Sequence, residues 1–134
     1  MQVNRSLDTD LADAEAEICK VTSAAYYWEQ WQASGGPEMA LAIYGGADVN
    51  LARPDLSKVT KILSFHCPDI EAEASDAIIK FHAALAALDF GLQHGKNTSD
   101  LLMRVGEGFG AVAATAERVI LRIRRRRAEL RSGR

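Results

Sequence analysis

The chain has 134 residues, of which 48% are hydrophobic and 25% charged, and its formal net charge is −2. This length suffices for one domain with one continuous core, and the composition excludes a disordered chain, which would be poorer in hydrophobic residues. No apolar run approaches the about 20 residues of a membrane-spanning helix, and the N-terminus lacks the apolar stretch of a secretion signal. We therefore expect a single cytoplasmic domain over residues 1–134, with no membrane span.

The charge is distributed unevenly along the chain. Residues 118–134 contain eight arginines and one glutamate, a net charge of +7, so the preceding 117 residues carry −9. Such an asymmetry indicates that the basic segment meets an anionic surface, either within the fold or on another molecule.

The first predicted element is a long helix over residues 8–33. Asp8 or Thr9 can cap its start, and the sequence SGGP at residues 34–37 stops it. Its apolar residues recur in alternating steps of four and three, as in a helix that packs at a shallow angle. These residues are Leu7, Leu11, Ala14, Ile18, Val21, Ala25 and Trp28.

The middle of the chain shows shorter elements. Pro37 can begin a brief helix that ends near Tyr44, and the residues up to Pro54 are typical of a loop. Asp55 can then cap a helix of about three turns that ends near His66.

Two long helices follow, over residues 68–94 and 99–129. The connector between them is so short that the two helices must form an antiparallel hairpin. Small residues recur every fourth position on both helices, and we expect the two stripes to meet and bring the backbones unusually close. The stripes consist of Ala83, Ala87 and Gly91 on one helix and Gly106, Gly110 and Ala114 on the other.

No segment shows the alternating pattern of a strand, so the predicted fold class is all-α. The expected architecture is an antiparallel helical bundle of three long helices plus one or two short helices, similar to a four-helix bundle. An up-down-up-down order is favoured, although the long connection through residues 34–67 permits other orders.

The C-terminal arginines have a structural explanation. In an up-down bundle the acidic start of the first helix lies beside the basic end of the last, so the two can form ion pairs. The acids concerned are Asp8, Asp10, Asp13, Glu15 and Glu17, and the arginines are Arg118, Arg122 and Arg125 or their neighbours.

A second explanation makes the arginines a binding arm. Arg126 and Arg127 occupy positions where apolar residues are due, so residues 126–134 are expected to form a basic, partly solvated helix end. Such an arm could contact nucleic-acid phosphate or another anion, with strong salt dependence. The candidate contacts are Arg122, Arg124, Arg125, Arg126, Arg127 and Arg131. Attachment to a membrane surface is less favoured because no bulky apolar face accompanies these arginines.

Signatures of chemistry are weak throughout the chain. A zinc site built from Cys19, His66, Cys67 and His82 would need two adjacent ligands, which is not a usual chelating spacing. The stretch GEGFG lacks the lysine and hydroxyl residue of a phosphate-binding loop. We therefore predict no catalytic residue, no cofactor and no metal, with a small enzyme or ligand-binding bundle as the third class of function.

The aromatic end of the first helix suggests the leading function. Tyr26, Tyr27 and Trp31 spread around a helix whose apolar seam already uses Trp28, although the short middle helices could cover this surplus. Tyrosine and tryptophan are enriched at interface hot spots. The sequence predicts a non-enzymatic helical protein–protein interaction module, a homodimer that acts as a small regulatory, adaptor or assembly protein through Tyr26, Tyr27 and Trp31. The alternative is a nucleic-acid-binding accessory protein that uses the C-terminal arginines.

Overall fold

A computed structural model describes residues 2–35, 53–94 and 98–132. Within these ranges the chain forms four α-helices and no strand, which confirms the predicted all-α class. The helices are α1 (Gln2–Gly35), α2 (Leu56–His66), α3 (Pro68–His94) and α4 (Thr98–Arg131). The brief helix predicted between Pro37 and Tyr44 lies outside the described residues. None of the described helices is long and apolar enough to cross a bilayer.

Contacts between the helices establish an up-down-up-down bundle in which α2 is the short member. α4 packs against both α1 and α3, and α2 fills the space on the opposite side. Asp10 contacts His66 while Glu17 contacts Asp55, so α1 and α2 run in opposite directions. The pairs Glu15 with Arg124 and Glu73 with Arg122 establish the same antiparallel relation of α4 to α1 and α3.

The predicted apolar seams form the core. Leu11, Ile18 and Val21 of α1 are fully buried, and so is Trp28 near the end of this helix. The ring of Trp28 meets the ring of Phe109 edge to face, with centroids 5.6 Å apart. These contacts fix how α1 and α4 are rotated about their own axes, and that rotation decides which residues of each helix face outward.

The start of α1 differs from the prediction. The helix begins at Gln2, so Asp8 lies within it and does not cap it. No glycine or proline interrupts residues 2–8, and nothing in the local sequence stops a helix there. The carboxylate of Asp8 accepts a hydrogen bond from Arg127 of α4 instead of satisfying a helix end.

The link between α2 and α3 is a single residue. Asp55 caps α2 as predicted, since its side chain accepts a hydrogen bond from the Lys58 backbone N–H at 3.1 Å. At the other end the Cys67 N–H donates to the Leu63 carbonyl at 2.7 Å, and Pro68 begins the next helix. Pro68 has no N–H to leave unsatisfied, so α3 can start immediately after α2 ends.

The predicted meeting of the two small-residue stripes is wrong. Ala87 of α3 and Gly110 of α4 are exposed, and a Cβ built on Gly110 would meet nothing within 4 Å. The close contact between these helices lies at Gly108, where an added Cβ would be 3.6 Å from the Cβ of Ala84. The four-residue repeat correctly places the small residues on one face of each helix, but burial of Phe109 turns that face of α4 away from α3.

Candidate interaction surfaces

The structure brings Tyr26, Tyr27 and Trp31 together at the end of α1, and we call these three residues the aromatic patch. Tyr26 is 58% exposed and Tyr27 is 52% exposed, and their rings meet edge to face with centroids 5.8 Å apart. Tyr27 also stacks on Trp31, with centroids 6.4 Å apart and planes inclined by 22°. Trp31 itself is partly buried against the core. The patch therefore consists of two exposed tyrosines held against a better-anchored tryptophan.

The helical period explains why the tyrosines point outward. Each residue advances an α-helix by about 100°, so burial of Trp28 turns its two predecessors away from the core. Trp31, three positions after Trp28, lies almost above it, with ring centroids 6.2 Å apart. The outward direction of Tyr26 and Tyr27 is thus a consequence of the same contact that anchors Trp28.

A groove of about 470 Å³ runs between α1 and α4 beside the aromatic patch. Tyr26 and Glu29 line it on α1, and the small residues Gly106, Gly110 and Ala114 line it on α4. The Nε1 atom of Trp28, which also lines the groove, is buried and has no hydrogen-bond partner among the described residues. This groove is not evident from the sequence, because the tyrosines and the glycines are some 80 residues apart in the chain.

At the opposite end of the bundle, three arginines of α4 meet acids of α1. Arg127 donates to Asp8 at 2.8 Å and to Glu15 at 3.1 Å, and Arg124 donates to Glu15 at 2.9 Å. Arg131 lies 3.5 Å from Asp8. Only 19% of the Arg127 side chain is exposed, so this residue is the centre of the cluster. Of the five predicted acids of α1, only Asp8 and Glu15 therefore meet arginines of α4 among the described residues, and these arginines are neighbours of the three that were predicted. Asp10 contacts His66 instead, and Glu17 contacts Lys20.

These contacts change the proton affinity of the groups involved. The hydrogen bond from Arg127 holds the pKa of Asp8 below its ordinary value of 3.8, although partial burial acts in the opposite direction. The hydrogen bond to Asp8 in turn raises the pKa of Arg127. Both shifts favour the charged forms, as expected when a carboxylate and a guanidinium share hydrogen bonds.

Arg118 and Arg122 contact α3 and not the acids of α1. Arg122 donates to Asp69 at 3.1 Å and to Glu73 at 3.2 Å, and Arg118 donates to Glu73 at 3.4 Å. Ile123 is buried between the two sets of arginines, so Arg122 and Arg124 extend to opposite flanks of α4. The arginines therefore connect α4 to both of its long neighbours.

Two of the predicted anion contacts form no ion pair with another helix among the described residues. Arg126 pairs with Glu129 of its own helix, at 3.4 Å, and also interacts with the thiol of Cys67. Arg125 is exposed and forms no ion pair with any residue that the structure describes. The partly solvated helix end expected over residues 126–134 stays a prediction. Of these residues, Arg126 is exposed, whereas Leu130 packs partly against the core.

The surroundings of Cys19, Cys67, His66 and His82 are typical of residues with a structural role. Burial raises the pKa of both thiols, Cys19 and Cys67, which disfavours the reactive thiolate. The Nε2 atom of His66 lies 3.0 Å from a carboxylate oxygen of Asp10, and that of His82 lies 3.1 Å from the Pro54 carbonyl. No group of three or more His, Cys, Asp or Glu side chains is placed to hold a metal ion within the described ranges.

Comparison with protein-family models, with curated proteins and with solved structures finds no match. Among the described residues, the aromatic patch and the adjoining groove combine exposed aromatic side chains with a concave surface.

Proposed function

We propose that the protein is a non-enzymatic, cytoplasmic protein–protein interaction module, a small homodimeric regulatory, adaptor or assembly protein. The observation that carries this proposal is the pair Tyr26 and Tyr27, two neighbouring aromatic side chains that are each more than half exposed. Tyrosines of this kind offer a large apolar area together with a hydroxyl group that tolerates water when the surface is free. They supply contact area at little cost in side-chain entropy, because only two torsion angles have to be fixed.

The rigidity of the patch supports the same function. Tyr27 stacks on Trp31, and Trp31 packs against the buried Trp28. A partner would therefore meet side chains that are already ordered, and binding would cost less conformational entropy than on a mobile surface.

The nucleic-acid alternative ranks second because most of the arginines are paired within the bundle. Five of the seven described arginines in the basic segment contact carboxylates of α1 or α3, which leaves little free positive charge for phosphate. The first 117 residues carry a net charge of −9 and would repel a polyanion. Weak retention on nucleic acid at low salt, or none, is the result expected from this arrangement.

Sedimentation velocity across a dilution series tests the proposal. The wild-type protein is expected to form a dimer at micromolar concentration, and the double variant Tyr26→Ser, Tyr27→Ser to dissociate at higher concentration. Because an aromatic anchor often contributes about 2 kcal/mol or more, the loss of a single anchor would raise the Kd by about thirtyfold, and the double variant should exceed this. Trp31 is left unchanged, since its contact with the core would add an effect on folding.

The matched control is Phe65→Ser, because Phe65 is 82% exposed but lies on α2, away from the patch. This variant should associate like the wild type, and all three proteins should have the same helical circular dichroism. A wild-type protein that is monomeric at high micromolar concentration, or a tyrosine variant that associates normally, would contradict the proposal.

A further inference from the structure

The outward-facing surface of α4 is a second uncovered surface among the described residues. Met103 is 63% exposed and Leu121 is 62% exposed, and the small residues Gly110 and Ala114 lie between them on this surface together with Glu107 and Glu117. Gly110 and Ala114 are both exposed, and a Cβ on Gly110 would have open space around it. An exposed strip with large apolar residues at two positions and small ones between them allows another helix backbone to approach closely.

The charges on this surface are arranged in an ordered way. Glu107 lies near its start, Glu117 near its middle and Arg125 near its end, and none of the three forms an ion pair within the described part of the chain. Glu107 and Arg125 are 18 residues apart, or about five helical turns, so they point in the same direction about 27 Å apart. A helix face that is negative at one end and positive at the other is complementary to itself when two copies run antiparallel.

We propose that a second copy of this chain packs on the outer face of α4, with the two α4 helices antiparallel. Glu107 of each copy then lies beside Arg125 of the partner subunit, and the two-fold axis crosses the helix pair level with Ala116. This inference rests on the proposed function, since it identifies the partner as a second copy and adds the contact that orients it.

The arrangement of small residues supports this register. With the axis level with Ala116, Leu121 of the partner subunit lies level with Ala111, between the exposed Gly110 and Ala114. There it faces the small side chains that line the groove between α1 and α4, where Tyr26 forms the opposite wall. The aromatic patch and the outer face of α4 would then belong to one continuous interface.

Charge also disfavours the neighbouring register. Moving the axis by about one helical turn, to the level of Val112, would place Glu107 opposite Glu117 of the partner subunit. Two unpaired carboxylates would then face each other twice in the dimer, whereas the register centred on Ala116 brings together one like-charged pair, the two Glu117 side chains beside the axis, and offsets it with two attractive contacts. Of these two registers, only the one centred on Ala116 joins opposite charges at Glu107 and Arg125.

Charge reversal tests the contact by sedimentation velocity. Glu107→Arg and Arg125→Glu each replace two attractive contacts with two repulsive ones, and each should raise the Kd of the dimer at least about tenfold. The double variant should associate nearly as the wild type does, because reversing both charges restores the attraction.

Mixing the two single variants gives a sharper result. The first variant carries arginine at both positions and the second carries glutamate at both, so a heterodimer regains two attractive contacts while each homodimer keeps two repulsive ones. With one variant fluorescently labelled, mixing should produce a labelled dimer that neither variant forms alone. Lys61→Glu, an exposed change on α2 that alters the net charge as Arg125→Glu does, should form less heterodimer with the Glu107→Arg protein, because that pairing keeps one repulsive contact beside one attractive one.

The outcomes separate the two proposals. Single reversals that associate normally, or a mixture that forms no heterodimer, would overturn the α4 contact. If the tyrosine variant still weakens association in that case, the aromatic patch stands without this orientation. If the reversals behave as expected while the tyrosine variant associates normally, the α4 contact stands and the role of the patch falls.

Discussion

The two ends of the bundle differ in how many of their side chains have partners within the chain. At the basic end, Arg127 and its neighbours form the most conspicuous feature of the sequence, yet their charges are met by carboxylates on α1 and α3. At the aromatic end, Tyr26 and Tyr27 are far less conspicuous, yet much of their area stays exposed. Ion pairs within the fold can thus neutralise a segment of biased charge. Side chains that the fold leaves exposed are therefore the better indicator of a partner.

The largest expected effect is on the free energy of unfolding, and it distinguishes the buried Trp28 of the aromatic end from the exposed Tyr27. Trp28→Ala should lower the free energy of unfolding by about 3–5 kcal/mol, because it removes a fully buried ring that contacts Phe109. Tyr27→Ala, one residue earlier, should change it by only about 0.5 kcal/mol, as for an ordinary surface position. Urea unfolding of both variants at a concentration where the protein is monomeric provides the measurement. Similar losses in the two variants would mean that Tyr27 is part of the core.

A smaller effect is expected at the basic end. Arg127→Ala should cost about 1–2 kcal/mol, because Asp8 and Glu15 would lose hydrogen bonds from a side chain that is mostly buried. Arg125→Ala removes the same charge from the same helix but breaks no described ion pair, so its free energy of unfolding should stay within about 0.5 kcal/mol of the wild type. Thermal unfolding of the pair at a concentration where the protein is monomeric distinguishes a cross-helix connection from a general effect of positive charge. Equal stability of the two variants would make the cluster energetically neutral.

Much of the fold follows from residue spacing, since steps of three and four define a helix and its buried side. Leu11, Ile18 and Trp28 are all buried as that spacing requires. Spacing predicts the ends of the helices less well. The helix α1, for example, starts before the residue expected to cap it. A capping residue marks a helix start only when the preceding residues do not continue the helix.

The partners of individual side chains could not be predicted in the same way. One residue advances a helix by about 100°, so a modest rotation of α4 decides whether an arginine meets α1 or α3. That rotation is set by long-range packing of residues such as Phe109, which spacing within one helix does not determine. The same rotation turns Gly110 outward, so spacing within α1 indicates that Tyr26 and Tyr27 are exposed but does not indicate the groove beside them.

The smallest expected effect is on the pH dependence of stability, and it belongs to the basic end alone. The pKa of Asp8 is lowered from its ordinary value of 3.8, so the unfolded chain binds a proton more readily than the folded one as the pH falls. The stabilisation from Asp8 is therefore complete at about pH 5 and above, decreases as the pH approaches 3.8, and is lost as the pH falls through the lower folded-state pKa. Arg127 titrates far above this range and adds no slope.

Asp8→Asn tests this expectation, because the amide cannot titrate. Its stability relative to the wild type should be lower by about 1 kcal/mol or less at pH 7, and this difference should shrink as the pH falls below about 4. Asp13→Asn is the matched control, since Asp13 is exposed on the same helix and forms no ion pair with a described residue. Urea unfolding between pH 3 and 7 gives both curves. If the stability of the two variants depended on pH in the same way, the Asp8–Arg127 contact would contribute no more than an unpaired surface carboxylate. The ion pairs of the basic end would then not stabilise the bundle.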